Sequence, residues 1–512
     1  MDDKEMNEGI VLHGRRKIYT AARAITADNV VEEVNRALAF HMENVQEIDY
    51  LYWYRRGLQP ILGRVKQIRP EINNKVVVNN AETVVTFKNG YFLTKPVSYV
   101  SRKETERVVS KVKKLNEYLY TSGKHAADNA VVDWFHTCGV GAIYCDQNDS
   151  KDMPVVAYAL DPRSAFVVYS LRPGNLPVFG VNIVTDGEKV YADAITEEYI
   201  FRLSGTILPE KVKAGSDVFI SVYTLEKTEP NYIGKIPIIE YQYNSTRMGA
   251  FEPALPLMDA INIAESNRLD AIEQTVQNLM VLYNCELPEE ESANSIRQKG
   301  LIVLKSTADN RADVKLMSET LDQQQTQTTI DDLYEQMLEK CGVPSSVRDG
   351  GSTSDNVGAV YLRSGWAMAD TDARNTEDQF REANKLFDDV FTTILRKKGL
   401  LDISVADFDI CFVRNDMNNL LVKTQAAMNM KELGLSPEIA LEKSGLSSDP
   451  VNDVEMSRKY IEQKWAEAPK PEDNPADPNN PANNPANMAK AQNVDEPKGG
   501  EPDGGETATN AV

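Results

Sequence analysis

Between residues 366 and 394 the side chains Trp366, Ala373, Phe380, Phe387 and Ile394 recur every seven positions, and Ala369, Thr376, Ala383 and Val390 follow three positions behind the first four. Asp372, Arg374, Glu377, Asp378, Arg381 and Glu382 occupy the other faces, so the pattern predicts one long helix with a heptad seam. No proline falls between 359 and 398, so an unbroken helix would run roughly 60 Å at ~1.5 Å per residue. Gly365 is the one point where a bend is expected. The seam suits the core of its own chain, and its small Ala and Thr residues also suit close packing against a second copy.

Upstream, Val30, Val31, Val34 and Leu38 share one helical face that Asp28 is placed to cap. The stretch Tyr52-Trp53-Tyr54-Arg55-Arg56-Gly57-Leu58-Gln59-Pro60 reads as a helix end with aromatic anchors and snorkelling arginines; stacked aromatics and arginines are also compatible with nucleic-acid contact. Val108, Val112, Leu115 and Leu119, then Ala127, Val131 and Trp134, mark two more helices. From 154 to 243 the period shortens. The runs 155–159, 166–169, 178–183, 190–194, 199–203, 219–225 and 236–243 are β-rich and separated by turn signals such as Asp161-Pro162 and Thr185-Asp186-Gly187, predicting mainly antiparallel hairpins.

Two helical arms follow, one from Pro253 to about Tyr283 and one from Gln323 to Lys340. The middle of the first arm, Glu265 to Asp270, is polar on most faces and suggests a strut that is half wet and half buried. The insert between the arms predicts a short helix near 289–298 and a hairpin of Leu301–Leu304 against Val314–Met317. Residues 343–358 form a polar loop with Gly350-Gly351 and no spaced lysine of a phosphate-cradling motif. After the long helix, 403–413 suggests a strand pair. Ser436-Pro437 and Asp449-Pro450 then open two helices, with Gly445 closing the first. Eight of the chain's 24 prolines lie from Pro469 onward, and that tail is expected to be disordered.

Composition narrows the function. The chain has 512 residues, 42% hydrophobic, and a formal charge of -21, which excludes a protein gripping nucleic acid with its whole surface. Five cysteines give no disulfide framework and point to a reducing compartment, and no apolar run reaches the ~20 residues of a membrane span. His136, Cys138 and Cys145 are too loosely spaced for a zinc site and read as buried thiols beside a core histidine. No nucleotide-binding loop argues for an ATP-driven motor, and no cluster of carboxylates or histidines argues for a metal-dependent nuclease or protease. No catalytic residue, metal or cofactor is expected.

The order of these features resembles the portal proteins of tailed bacteriophages, in the branch typified by the SPP-type siphophages of Bacillus. The early signature is similar to Tyr54–Arg64, then Asn73-Asn74-Lys75-Val76-Val77-Val78-Asn79 and Gly90-Tyr91. The middle one resembles Ile236-Pro237-Ile238-Ile239-Glu240-Tyr241, Gly249-Ala250-Phe251-Glu252 and Asp259-Ala260-Ile261-Asn262. A third lies at Asn356-Val357-Gly358-Ala359-Val360, where the family often has Ser-Gly in place of Val357-Gly358. The resemblance covers roughly 30–465.

It implies an α+β portal fold: wing 1–250 (helical 1–150, β-rich 151–250), stem helix 251–284, clip 285–322, stem helix 323–342, tunnel loop 343–358, long helix and wing return 359–414, crown 415–466, and an acidic Pro/Asn-rich tail 467–512. It further implies a dodecameric homo-oligomer at one capsid vertex of the virion, assembled in the host cytoplasm, with double-stranded DNA passing through its channel. The partners implied are the terminase large subunit, the head-to-tail adaptor, and the major capsid and scaffolding proteins, with no membrane. In the tunnel loop Arg348 would touch phosphate, Ser352, Thr353 and Asn356 would offer neutral donors, and Asp349 and Asp355 would keep the contact weak. Trp366, Phe380, Phe387 and Ile394 would pack the subunit core or its neighbour. The alternative is another ring-forming capsid or tail component, which would share the acidic surface and the heptads but not the two arms with an insert.

Overall fold

A computed structural model describes residues 13–67, 69–93, 95–103, 105–187, 189–206, 223–276, 279–283, 313–317, 323–345, 365–412, 420–447 and 450–467. Contacts divide the chain into two units, 1–419 and 420–512. The first contains β1 (Ile18–Thr20), α1 (Val30–Arg55), α2 (Asn80–Phe92), β2 (Ser98–Ser101), α3 (Glu106–Thr121), α4 (Lys124–Cys138), β3 (Val140–Gln147), β4 (Val155–Leu160), β5 (Ala165–Ser170), β6 (Pro177–Asp186), β7 (Lys189–Ile195), β8 (Tyr199–Thr206), β9 (Thr224–Pro230) and β10 (Ile238–Gln242). It continues with α5 (Leu255–Val276), β11 (Leu279–Tyr283), β12 (Asp313–Met317), α6 (Gln323–Lys340), α7 (Trp366–Lys397) and β13 (Phe408–Cys411).

The β-rich region forms two sheets. One has six strands in the order β1-β5-β6-β7-β8-β9, antiparallel except where β1 runs parallel to β5; the other has three, β10-β3-β4. The apolar face of α1 (Val30, Val34, Ala37, Leu38) covers one side of the six-stranded sheet, meeting Val168, Phe179, Val181, Ala192 and Phe201. The other side meets the small sheet through Val167, Ile195, Ala142 and Ile238. Gly180 permits that approach, since a Cβ there would lie 2.9 Å from the Cβ of Ile238.

Several expectations are corrected. Helix α1 starts after Asn29 rather than being capped by Asp28; the Asn29 side chain instead accepts the Thr26 N–H and braces the preceding turn. Strands β1 and β3 went unread; His136 and Cys138 on α4 and Cys145 on β3 are all buried, as the sequence suggested. The strand expected at 219–225 lies at 224–230, with 219–222 outside the described residues. The first arm helix ends at Val276; Leu279–Tyr283 is a strand, β11, paired antiparallel with β12. Val314–Met317 pairs with the end of the first arm; Leu301–Leu304, its expected partner, lies outside the described residues together with the helix expected near 289–298. Residues 403–413 do not pair with each other: β13 joins β2 from far upstream.

Helix α7 spans 32 residues, about 48 Å at ~1.5 Å per residue. Gly365, at φ +84°, caps its N-terminus, so the helix does not run unbroken from 359. Ala369, Ala373, Thr376, Phe380, Ala383, Phe387, Val390 and Ile394 are all buried, and their partners belong to the same chain. Phe380 meets the rings of Tyr241, Phe412 and Phe92 at 5.0, 5.6 and 5.9 Å. Ala369 and Ala373 give room for Tyr91, and Trp366 packs against the stacked rings of Phe87 and Tyr91.

A polar layer interrupts this core. Tyr99 donates to Asp388 Oδ1 at 2.7 Å and accepts from Asn384 at 2.7 Å; Lys124, paired with Asp128, lies 4.5 Å above the Phe387 ring. Burial pushes the Asp388 carboxyl up to about 7, against the Tyr99 hydrogen bond and the Lys124 charge. A raised folded value means the folded state binds the extra proton, so this group's contribution is fully present below the ordinary carboxylate value and is lost as pH rises to about 7. Asp388→Asn carries no charge to bury. The variant is expected to gain on the parent in melting temperature between pH 5 and pH 8; an equal difference at both would refute the assignment.

The second unit holds α8 (Leu420–Glu432), α9 (Pro437–Ser444) and α10 (Pro450–Glu467). Ser436 caps α9 by accepting the Ile439 N–H, and Gly445 ends it. Asp449, expected to cap α10, lies outside the described residues.

Candidate functional site: the anchored arms and the base of the polar loop

The first arm is held by the chain's early signature. Tyr54, fully buried at the end of α1, donates to Asp259 Oδ1 at 2.8 Å and stacks on Phe251 at 6.0 Å. Burial, then the Asp259 charge, pushes its phenol well above the usual range. Arg55 bonds both oxygens of Asp133 at 2.8 Å and Glu82 at 2.7 Å. Tyr52 stacks on Trp134 at 5.5 Å, with Arg163 and Arg56 over its ring at 4.4 and 4.5 Å. These rings and guanidinium groups work as internal anchors, as a helix end with aromatic anchors predicts.

Residues 74–78 run extended along α5, joining no sheet among the described residues, and Asn79, at φ +49°, ends the run. The N–H groups of Asn74, Val76 and Val78 donate to Asp270 Oδ1 (2.7 Å), Ser266 Oγ (3.0 Å) and Asn262 Oδ1 (2.9 Å). The spacing works because two extended residues advance ~6.6 Å and four helical residues rise ~6 Å. Alternate backbone donors thus meet acceptors one helical turn apart. The arm's polar middle is half buried and half wet, as expected: Asn262, Ser266 and Asp270 are 1%, 0% and 3% exposed, while Asn267 and Leu269 on the other face are open to solvent. Asp270 also takes Lys66 at 2.9 Å, the Asn74 amide at 2.9 Å and Arg64 at 3.3 Å. Burial would raise its carboxyl, but the Asn74 N–H and the Lys66 bond outweigh it and hold the group below its usual range. A polar residue every four positions beside an alternating extended stretch was the legible signal of this ladder.

The second arm, α6, packs on α5, with Arg268 donating to Gln327 at 2.7 Å. It leads to Val343, Pro344 and Ser345, where the polar loop begins. The chain is next described at Gly365, whose Cβ, if present, would sit 3.7 Å from Pro344 Cα. The described residues on either side are fastened to each other. Lys88 bonds Asp372 Oδ2 at 2.6 Å and Gly342 O at 3.5 Å, and Tyr243 donates to the same Asp372 oxygen at 2.6 Å. Lys88 was not singled out by sequence, and Asp372 was read only as one of the charges on the outer faces of the long helix; a lone charge on a helical face carries no signal until its partner is placed. Under them His136 pairs with Asn89 at 2.7 Å. Burial, then the Lys88 and Arg55 charges, hold the imidazole well below its ordinary value and keep it neutral. Burial pushes the Cys138 thiol up to about 12, which makes it no nucleophile at neutral pH.

Of the residues picked out in the sequence, Arg348, Asp349, Ser352, Thr353, Asp355 and Asn356 lie outside the described residues, as does Val357-Gly358. Phe380, Phe387 and Ile394 are buried along α7, and Trp366 packs at the base of the loop. Among the described residues no group of three or more His, Cys, Asp or Glu is arranged to hold a metal. Among them, too, no helix is long and apolar enough to cross a membrane.

A family model described as "Phage portal protein, SPP1 Gp6-like" matches residues 36–468. No curated protein matches the chain. A solved structure described as "Neck of empty GTA particle computed with C6 symmetry" aligns at a TM-score of 0.40 and 11% identity, over 72% of this chain and 89% of that one. That likeness is too distant to carry an argument.

Proposed function

The chain belongs to the SPP1 Gp6-like family of phage portal proteins, and from that membership we propose that copies of it form a ring, dodecameric by resemblance, at one vertex of a phage capsid. The carrying observation is the extent of the family match, which runs from α1 through the last helix of the second unit. In this reading the ring is a channel for double-stranded DNA during packaging and ejection. It is also the platform on which the terminase large subunit and later the head-to-tail adaptor dock, with the major capsid and scaffolding proteins around it. Residues 1–250 act as the wing, the two arms as the stem, 285–322 as the clip, 343–358 as the tunnel loop and 415–466 as the crown.

Channel duty fits the charge of the chain, since a net -21 surface keeps phosphate contacts brief and lets DNA slide. The clamped loop base supports a role for residues 343–358 in that contact. Lys88, Asp372 and Tyr243 hold the ends, so a change within the loop leaves the scaffold standing. Counting subunits around the axis of the purified protein by electron microscopy tests the ring; particles of one or two copies would refute it. Deleting Gly350 to Asp355 is expected to permit rings and procapsids yet lower the nuclease-protected DNA per procapsid. Arg348→Ala is expected to do so more mildly. Heads that fill at the parent's rate and length would remove the loop from DNA passage.

A further inference from the structure

The extended segment on α5 has a second edge. Backbone groups alternate sides in an extended chain, so while Asn74, Val76 and Val78 face α5, the N–H and C=O groups of Lys75 and Val77 turn away from it. None of those four groups has a hydrogen-bond partner among the described residues; Lys75 uses only its ammonium, on Leu62 O at 2.6 Å. Exposed apolar side chains surround this edge: Val78, Leu58, Leu62 and Val65, the last 83% exposed. An open edge of this kind is ordinarily covered.

The matching surface is on α6. Gln324, Thr328, Asp332 and Gln336 are all exposed and follow one another at intervals of four. The buried track on α5 reads Asn262, Ser266, Asp270; the exposed one reads Gln324, Thr328, Asp332. Both give amide, hydroxyl and carboxylate in the same order and at the same spacing. The hydroxyls even behave alike: Ser266 spends its proton on Asn262 O at 2.7 Å and Thr328 spends its own on Gln324 O at 3.0 Å, leaving lone pairs aimed outward. Within one chain this second track cannot reach the open edge through α5. Arg268, which meets α6, stands two residues after Ser266, ~200° round the helix from the first track. The edge and α6 thus flank α5 on opposite sides.

We propose that the open edge at 75–77 of one copy lies on α6 of a second copy, with Thr328 accepting the Val77 N–H and Asp332 the Lys75 N–H. This rests on the ring reading and names the surfaces that build the ring. Edge and track are different surfaces, so the contact is head-to-tail, the kind that closes rings. Charge favours it: residues 61–80 carry four basic side chains and one acidic, α6 four acidic and one basic.

Residue-resolved hydrogen exchange on the assembled full-length protein tests it. The Lys75 and Val77 amides are expected to exchange roughly tenfold or more slowly than exposed loop amides, close to those of Val76 and Val78. Val77→Pro removes an outward donor and leaves the inward ones. Val77→Pro is expected to keep the parent's subunit fold by circular dichroism while shifting mass photometry from rings to single copies. Thr328→Val, which keeps the side chain's shape and loses its acceptor, is expected to do the same. Rings that form normally in both variants, or fast exchange at 75 and 77 in intact rings, overturn the contact and leave the ring standing. A parent protein that forms no rings overturns both.

Discussion

Phe380→Ala is expected to cost the first unit about 3–5 kcal/mol, because a fully buried ring leaves a cavity that its neighbours cannot collapse to fill. Tyr241, Phe92 and Phe412 surround it on three sides, and each is fixed by another element: β10, α2 and the residue after β13. The Lys124 ammonium, 5.4 Å from the ring, would lose one of its aromatic faces as well. Leu386→Ala, six residues along on the exposed side of α7, is the matched control and is expected to stay within about 0.5 kcal/mol. Denaturant melts of the two variants decide it. A loss below about 1 kcal/mol for Phe380→Ala would mean that the seam is not the packed centre of this unit.

Asp270→Ala is expected to be nearly as damaging, at about 3 kcal/mol, for a different reason. The carboxylate receives the Asn74 N–H, the Asn74 amide, Lys66 and Arg64. Removing it strands a backbone donor and two cations against α5. Asp270→Asn keeps one oxygen for the Asn74 N–H and is expected to lose less than half as much. Because the carboxyl is held below its usual range, its contribution is present above the unfolded value of ~3.9 and disappears as pH falls through the lower folded one. The gap between parent and Asp270→Ala should therefore narrow only in strong acid. A gap that narrows already between pH 7 and pH 5 would contradict the depressed value.

What the sequence made legible was what local periodicity dictates. The seam of α7 was readable because Phe380, Phe387 and Ile394 must share one side of any helix that contains them. The strand β11 was not, since Leu279-Met280-Val281-Leu282-Tyr283 is apolar at every position and fits a helix end as well as a strand; its partner β12 decided the matter. Likewise β13 pairs with β2, and no pattern within 403–413 could announce a partner so far upstream. The ladder on α5 was hidden for a further reason: its donors are backbone N–H groups, which every residue but proline carries. Only the acceptors Asn262, Ser266 and Asp270 have a sequence signature, and in isolation they read as solvent-facing. The residues assigned to DNA contact are known only through their anchorage, at Pro344, Gly365 and the Lys88–Asp372 pair.

That anchorage has an evolutionary corollary. A segment that departs and returns at one point, between Pro344 and Gly365, behaves as an exchangeable cassette. Doubling its length adds only ~0.6 kcal/mol of closure entropy, because the cost grows with the logarithm of the number of residues. Related chains are thus free to lengthen, shorten or recharge this stretch by recombination without re-solving the packing beneath it. The same freedom makes it the natural place to graft a reporter peptide.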